Sequence, residues 1–266
     1  MTMMNPTSSA SRDWLRPDIP FEGADAVMTT RAGGVSAAPF CSLNLGAAVN
    51  DDAEAVRRNR ALLAEAIGAT PIFLKQVHGA RVVRLGASDA APDAPVHEAD
   101  ASVTTEPGIA CTVLVADCLP VLLAAPCGRA VAAAHAGWRG LAGGVVEAAL
   151  AQLCEAASCE PGAVQAWLGA CIGPRRFEVG ADVLQAFGAE ASDPDPLRFV
   201  AAPAVDGAPK WLANLPQLAR DRLRRAGVGR VEGGRWCTVE DAGRFFSFRR
   251  DRLTGRMAAC VWRATK

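Results

Sequence analysis

A chain of 266 residues, half of them apolar, is long enough to bury a large core as one big domain or two small ones. Its 28 Lys and Arg balance 28 Asp and Glu, so it lacks the positive field that holds nucleic acid through counterion release, and a general DNA or RNA binder is excluded. Nine cysteines stand at positions 41, 111, 118, 127, 154, 159, 171, 237 and 260 with no Cys-x-x-Cys pair, a usage that suits reduced thiols in a cytoplasm.

The opening MTMMNPTSSASRDW has neither the basic start nor the apolar run of a secretory signal. Its small polar residues predict a disordered lead-in over 1–20, followed by a single catalytic domain over 21–266. Residues 26–30 read as a strand running into the Gly-rich turn RAGGVS and the irregular FCSLNLG. Residues 51–68 predict an amphipathic helix, with acids at its start, Val56, Leu62, Leu63, Ala66 and Ile67 at helical spacing, and a glycine at its end. Strands are expected over 72–77 and 81–85 on either side of His78-Gly79, with a Pro- and Asp-rich surface loop over 87–95. The longest apolar stretch, 109–127, contains Asp117 and Pro120, which a membrane span would not carry. It reads instead as two core strands, 109–116 and 121–125, with a third over 130–134 delivering His135 at its end.

Further on, a helix is expected over 145–157, strand over 164–168 and 171–172, and helices over 181–187 and 211–226. The last of these carries Arg220, Arg222, Arg224 and Arg225 as a solvated face. Residues 231–237, then FFSFRRD, then 258–262 read as strands, and alternation along FFSFRR would put Phe246 and Phe248 on one face and Phe245 on the other. With no repeat and no linker, the fold class is α/β (α+β): one domain of layered mixed sheets flanked by helices. Sheet order, strand direction and oligomeric state are not legible in the sequence.

Two of the three histidines sit at strand ends beside glycine, in QVHG and AHAGWRG, and Cys118 lies between them in ADCLP. Imidazole and thiolate are good zinc ligands, and three protein ligands leave a fourth position open for water or substrate. Their wide spacing leaves two other readings open: a cysteine–histidine nucleophilic pair, or unrelated packing roles. His97 sits in proline-rich surroundings and reads as a plain surface histidine.

The strings TTRAGGVS, FCSLNLG, NR at 59 and 60, QVHG, EADASVT, VADCLPVLL, AAHAGWRGL, GACIGPRRFEVG, CT at 237 and 238, FFSFRRD and GRMAACVW occur in this order from residue 28 to residue 262. Together they resemble the YfiH family, laccase-like proteins first named multicopper polyphenol oxidases and later purine nucleoside phosphorylases. The resemblance implies one zinc ion held by His78, Cys118 and His135, the same residues serving as the catalytic set. It also implies phosphorolysis of adenosine, inosine, guanosine and methylthioadenosine, deamination of adenosine, and an association with editing of peptidoglycan precursors. The last suggests an alternative, a hydrolase using Cys118 as nucleophile.

A laccase needs more imidazoles than three histidines provide, although copper could replace zinc at this one site. For a nucleoside and phosphate as small-molecule partners, Arg31 and Arg139 in the glycine-rich turns are candidate phosphate ligands, and Asn44 and Gln76 candidate hydrogen-bonders to base or ribose. Asp117 is the nearest carboxylate in sequence to the ligands, on a strand position expected to alternate away from Cys118. No partner nucleic acid or membrane is expected.

Overall fold

A computed structural model describes residues 13–264. In chain order it contains β1 (Ala24–Met28), α1 (Ala53–Ile67), β2 (Thr70–Ile72), β3 (Val82–Leu85), β4 (Ala101–Thr104), β5 (Ile109–Val115), β6 (Leu119–Ala124) and β7 (Val131–Ala136). There follow α2 (Trp138–Ala142), α3 (Val145–Ala157), β8 (Gln165–Leu168), β9 (Glu178–Val179), α4 (Ala181–Ala186), β10 (Phe199–Val205) and β11 (Ala208–Ala213). The chain ends with α5 (Leu215–Arg225), β12 (Arg230–Gly233), α6 (Phe248–Asp251) and β13 (Met257–Arg263).

The apolar run that might suggest a membrane becomes β5 and β6, strands covered on both faces, which is why they read as almost continuous apolar sequence. Period-two alternation sends Leu119, Val121 and Leu123 of β6 toward α3 and α5, where they pack with Val146, Ala149 and Leu218. Leu122 and Ala124 face the other way, against Val113, Met257 and Ala259 of a second sheet. The far face of that sheet, with Val27, Ala110 and Cys260, meets Leu63 and Ile67 of α1. The result is four layers: helices, a six-stranded sheet β12-β8-β6-β7-β4-β3, a four-stranded sheet β1-β13-β5-β2, and α1. A small sheet, β10-β11-β9, stands beside them. Among the described residues no helix is long and apolar enough to cross a membrane.

Local chemistry accounts for α1 at both ends. Asp52 accepts the Ala55 N–H at 2.7 Å, and Gly68 closes the helix at φ 64°. Asn59, a polar residue on its buried face, ties the helix to the Gly-rich turn. Its amide donates to Ser36 Oγ, Ser42 O and Asn44 O at 2.9, 3.1 and 2.9 Å and accepts the Val35 N–H at 2.8 Å. The turn passes so close that a Cβ on Gly34 would lie 2.5 Å from Asn59 Oδ1. Asn59→Ala therefore strands several buried polar groups and is expected to cost about 2–3 kcal/mol. In urea unfolding the midpoint should fall with the slope unchanged.

Several expectations need correction. Part of the expected lead-in is built into the fold: Leu15 is buried and bridges Met28, and Asp13 pairs with Arg244 at 2.8 Å, while residues 1–12 lie outside the described residues. The strand expected over 72–77 ends at Ile72, because the chain leaves the sheet toward His78. The buried strand β4 went unread.

The helix expected from 211 begins at Leu215. Trp211 and Ala213 alternate inward on β11, and the Asp206-Gly207 turn, with φ 50° and 75°, joins β10 to β11 as a hairpin. Arg220 and Arg222 are half-buried on α5 and are used, the first by Val231 O and Gly233 O and the second by Glu147, so only Arg224 and Arg225 stand solvated. The strand expected over 231–237 stops at Gly233. FFSFRRD is not a strand either: Ser247 caps α6 through the Arg250 N–H, so Phe245 and Phe246 are both buried and Phe248 is exposed.

Candidate metal centre and its cavity

Strand register assembles the site. β6 runs antiparallel to β7 with Pro120 opposite His135, which places Cys118, just before β6, beside the end of β7. β4 pairs β7 with Ala101 opposite Ala134, so Asp100 lies next to His135 and its carbonyl accepts the His135 N–H at 2.7 Å. His78 arrives on the loop between β2 and β3 with φ 62°, a left-handed conformation that a residue other than glycine holds only under constraint.

The constraint is Asp100. Its carboxylate accepts the N–H groups of Val77, His78 and Gly79 at 3.0, 2.9 and 2.7 Å, and His135 Nδ1 donates to it at 2.8 Å. Burial works against the Asp100 charge, yet the His135 bond and the backbone donors hold its carboxyl below the usual carboxylate range. With Nδ1 committed, His135 has only Nε2 left for a ligand, the carboxylate–histidine arrangement that fixes tautomer and ring orientation in metal sites.

The three donor atoms of His78, Cys118 and His135 lie within 4.8 Å of one another, with His78 Nε2 3.8 Å from Cys118 Sγ. This is the compact nitrogen and sulfur set that a single thiophilic metal ion requires. A Cβ at Gly137 would stand 3.0 Å from both Cys118 Sγ and the His78 ring, so glycine keeps the cradle open. Burial opposes ionisation of Cys118, but the His135 charge and hydrogen bonds from both imidazoles bring the thiol down to about 6. Burial likewise opposes the His135 charge, and the Cys118 charge and Asp100 raise it to about 9. Both shifts favour a thiolate beside an imidazolium, so a metal ion bound there would displace protons.

The cluster opens into a cavity of about 600 Å³. Gly46 to Val49 form one rim, and Leu114, Val115 and Ala116 an apolar wall. Arg60 stacks on Phe73 at 3.9 Å, while Arg256 and Phe248 close another side. Gln76 also lines the cavity, but its amide pairs with both backbone groups of Leu114, at 2.9 and 2.7 Å, and so extends the edge of β5.

The other candidates sit elsewhere. Arg31 donates to Cys41 O and Ala242 O over the Phe246 ring, and Arg139 is exposed over Trp138, so neither lines this cavity. Asn44 is fully buried and serves Gly46 and Asp51 within its own loop and the Arg256 N–H just before β13. Asp117, at φ 101°, accepts from Thr238 Oγ1 and the Arg249 N–H at 2.5 and 2.6 Å, which commits it to α6. His97 bonds Asp89 at 2.7 Å, away from the cluster.

Asp100, Arg60 and Arg256 lie within the family strings EADASVT, NR and GRMAACVW, but the sequence assigns them no role. The available signal for Asp100 was an acid directly preceding a short apolar strand, a position where a buried carboxylate demands partners.

Comparison with known proteins agrees with this architecture. A family model described as multi-copper polyphenol oxidoreductase laccase matches residues 25–264. A purine nucleoside phosphorylase of Pseudomonas aeruginosa is 47% identical over 251 residues, covering 94% of this chain and 98% of that protein. The Escherichia coli purine nucleoside phosphorylase YfiH is 43% identical over 254 residues, covering 94% and 96%. A solved structure of a Neisseria meningitidis protein of family DUF152 superposes with a TM-score of 0.84 at 43% identity, covering 95% of this chain and 99% of that one. With the match running nearly end to end, the chain belongs to the YfiH family of laccase-like proteins.

Proposed function

We propose that the protein is a purine nucleoside phosphorylase that works with one zinc ion held by His78, Cys118 and His135. The observation that carries this reading is the convergence of two imidazoles and a thiol within 4.8 Å at a cavity of nucleoside size. The names of the relatives support the same activity. Adenosine, inosine, guanosine and methylthioadenosine are the proposed substrates, with deamination of adenosine as a second reaction. Zinc would act there as a Lewis acid and lower the pKa of a bound water.

The chain's own residues have separate tasks. Asp100 fixes His135 in the tautomer that leaves Nε2 free and holds the His78 loop in place. Phe73, Phe248 and the Leu114–Ala116 wall offer apolar surfaces to a flat base and exclude water. In phosphorolysis a phosphate oxygen bonds to the anomeric carbon while the bond from that carbon to the purine nitrogen breaks, and the departing base takes up a proton. Charge develops on both partners, so cations at the cavity wall favour the step.

Only two imidazoles reach the cluster, too few for the several coppers of a laccase, though a single copper could displace zinc there. Among the described residues no disulfide links the cysteines, which fits a cytoplasmic enzyme. A second reading rests on the 3.8 Å approach of His78 Nε2 to Cys118 Sγ: a cysteine hydrolase acting on a peptidoglycan precursor, with metal as an inhibitor.

Chelation separates the two. On the phosphorylase reading, phosphate-dependent release of base from adenosine and inosine is lost on metal removal and returns with zinc. Base release that increases on chelation, or that needs no phosphate, overturns it.

A further inference from the structure

Two cations face the cavity without a carboxylate partner. Arg60 and Arg256 are both half-buried and line it, and among the described residues neither forms a salt bridge. Lys75, the other Lys or Arg of the lining, is exposed and already paired with Glu98 at 2.9 Å. A half-buried guanidinium outside any ion pair is costly, because its desolvation is not repaid at close range. Burial indeed holds both guanidiniums below their ordinary pKa.

Both side chains are also anchored in fixed poses. Arg60 Nε donates to Leu45 O at 3.0 Å, and the same residue's N–H donates to Arg256 O at 3.0 Å, so the two arginines grip one short segment from either side. Arg256 Nη1 is taken by Thr254 O and Gly255 O at 3.0 and 3.1 Å. These bonds leave both terminal nitrogens of Arg60, and Nε and Nη2 of Arg256, without a protein acceptor among the described residues. Phe73 covers one face of the Arg60 guanidinium, so its donors act in the ring plane, the geometry that matches a tetrahedral oxyanion. Arg256 lines the same cavity as His78, Cys118 and His135, and the charges of Cys118 and Asp117 favour its own.

We infer that Arg60 and Arg256 form the oxyanion subsite of this cavity and receive a phosphate, either free or as the phosphoryl group of a larger substrate. The assignment deepens the phosphorylase reading and gives Arg31 and Arg139 no part in anion binding. Positioned donors at the cavity wall hold the phosphate and aim its oxygen toward the reacting centre.

The test is direct binding, separate from turnover. Thermal unfolding of the full chain is followed at constant ionic strength with added inorganic phosphate, and in parallel with adenosine monophosphate, for wild type, Arg60→Gln, Arg60→Lys and Arg256→Gln. Cooperative melting of each variant establishes that it folds. Phosphate is expected to raise the wild-type Tm, with the apparent Kd at least tenfold weaker in each Gln variant and partly restored in Arg60→Lys. Protection by the nucleotide alone, lost in the same variants, keeps the subsite and assigns its anion to a larger substrate. No protection of wild type by either anion, or unchanged apparent Kd in both Gln variants, overturns it. Phosphate-dependent base release with an unchanged phosphate KM in Arg60→Gln also removes the subsite while leaving the phosphorylase reading intact. Phosphate binding lost with Arg60 in a protein that releases no base does the reverse.

Discussion

Cys118→Ala is expected to abolish stable metal binding and phosphate-dependent turnover together while leaving the fold in place. Cys118 supplies the only sulfur donor of the described cluster, and two imidazoles without it make a far weaker and less selective site. The loss of affinity should exceed the roughly 10–100-fold that removal of a supporting group produces in metal sites. The fold survives because Cys118 is only half-buried and because His135 keeps its Asp100 partner, so no buried charge is left alone. Metal content by mass spectrometry and competition against a chromophoric chelator would measure this. A variant that retains one equivalent of metal at wild-type affinity rules the cluster out as the binding site.

Substitution of Asp100 by asparagine should produce the next largest effect, and on two properties at once. Both carboxylate oxygens are in use, one accepting from His78 N–H and His135 Nδ1 and the other from Val77 and Gly79 N–H. An amide replaces one of these acceptors with a donor group and so opposes donors with a donor. Metal affinity is expected to fall about 10–100-fold, and stability by about 2–4 kcal/mol. Chelator competition reads the first effect and urea unfolding of the metal-free protein reads the second. Affinity within twofold of wild type would show that Asp100 does not orient the ligands.

Where the fold depends on neighbours in the chain, the residues announce it. Asp52 and Gly68 delimit α1 through a side-chain cap and a positive φ, interactions that span only a few residues. The alternation within 109–125 announces buried strands in the same way. The hairpin of β10 and β11 is equally local: the Asp206-Gly207 turn reverses the chain, and Trp211 lies before the helix that Asn214 caps and Pro216 opens. The FFSFRRD segment misled for a related reason. Ser247 competes for the backbone as a helix cap, and that preference outweighed the strand-like spacing of the phenylalanines.

The candidate metal ligands are a different case. His78, Cys118 and His135 carry no short-range spacing signal, and only the resemblance of whole strings to a known family joins them into one candidate site. The chain itself determined which residues have ligand chemistry, which segments are apolar enough to be core, and that the formal charge is balanced. Only tertiary structure decided that β6 pairs β7 with Pro120 opposite His135, that β4 delivers Asp100 beside that histidine, and that Arg60 and Arg256 replace Arg31 and Arg139 at the cavity wall. The physical reason is range. Caps, turns and periodicity act within a turn or two of chain, whereas a site drawn from segments 40 residues apart exists only once sheet register brings its side chains into contact.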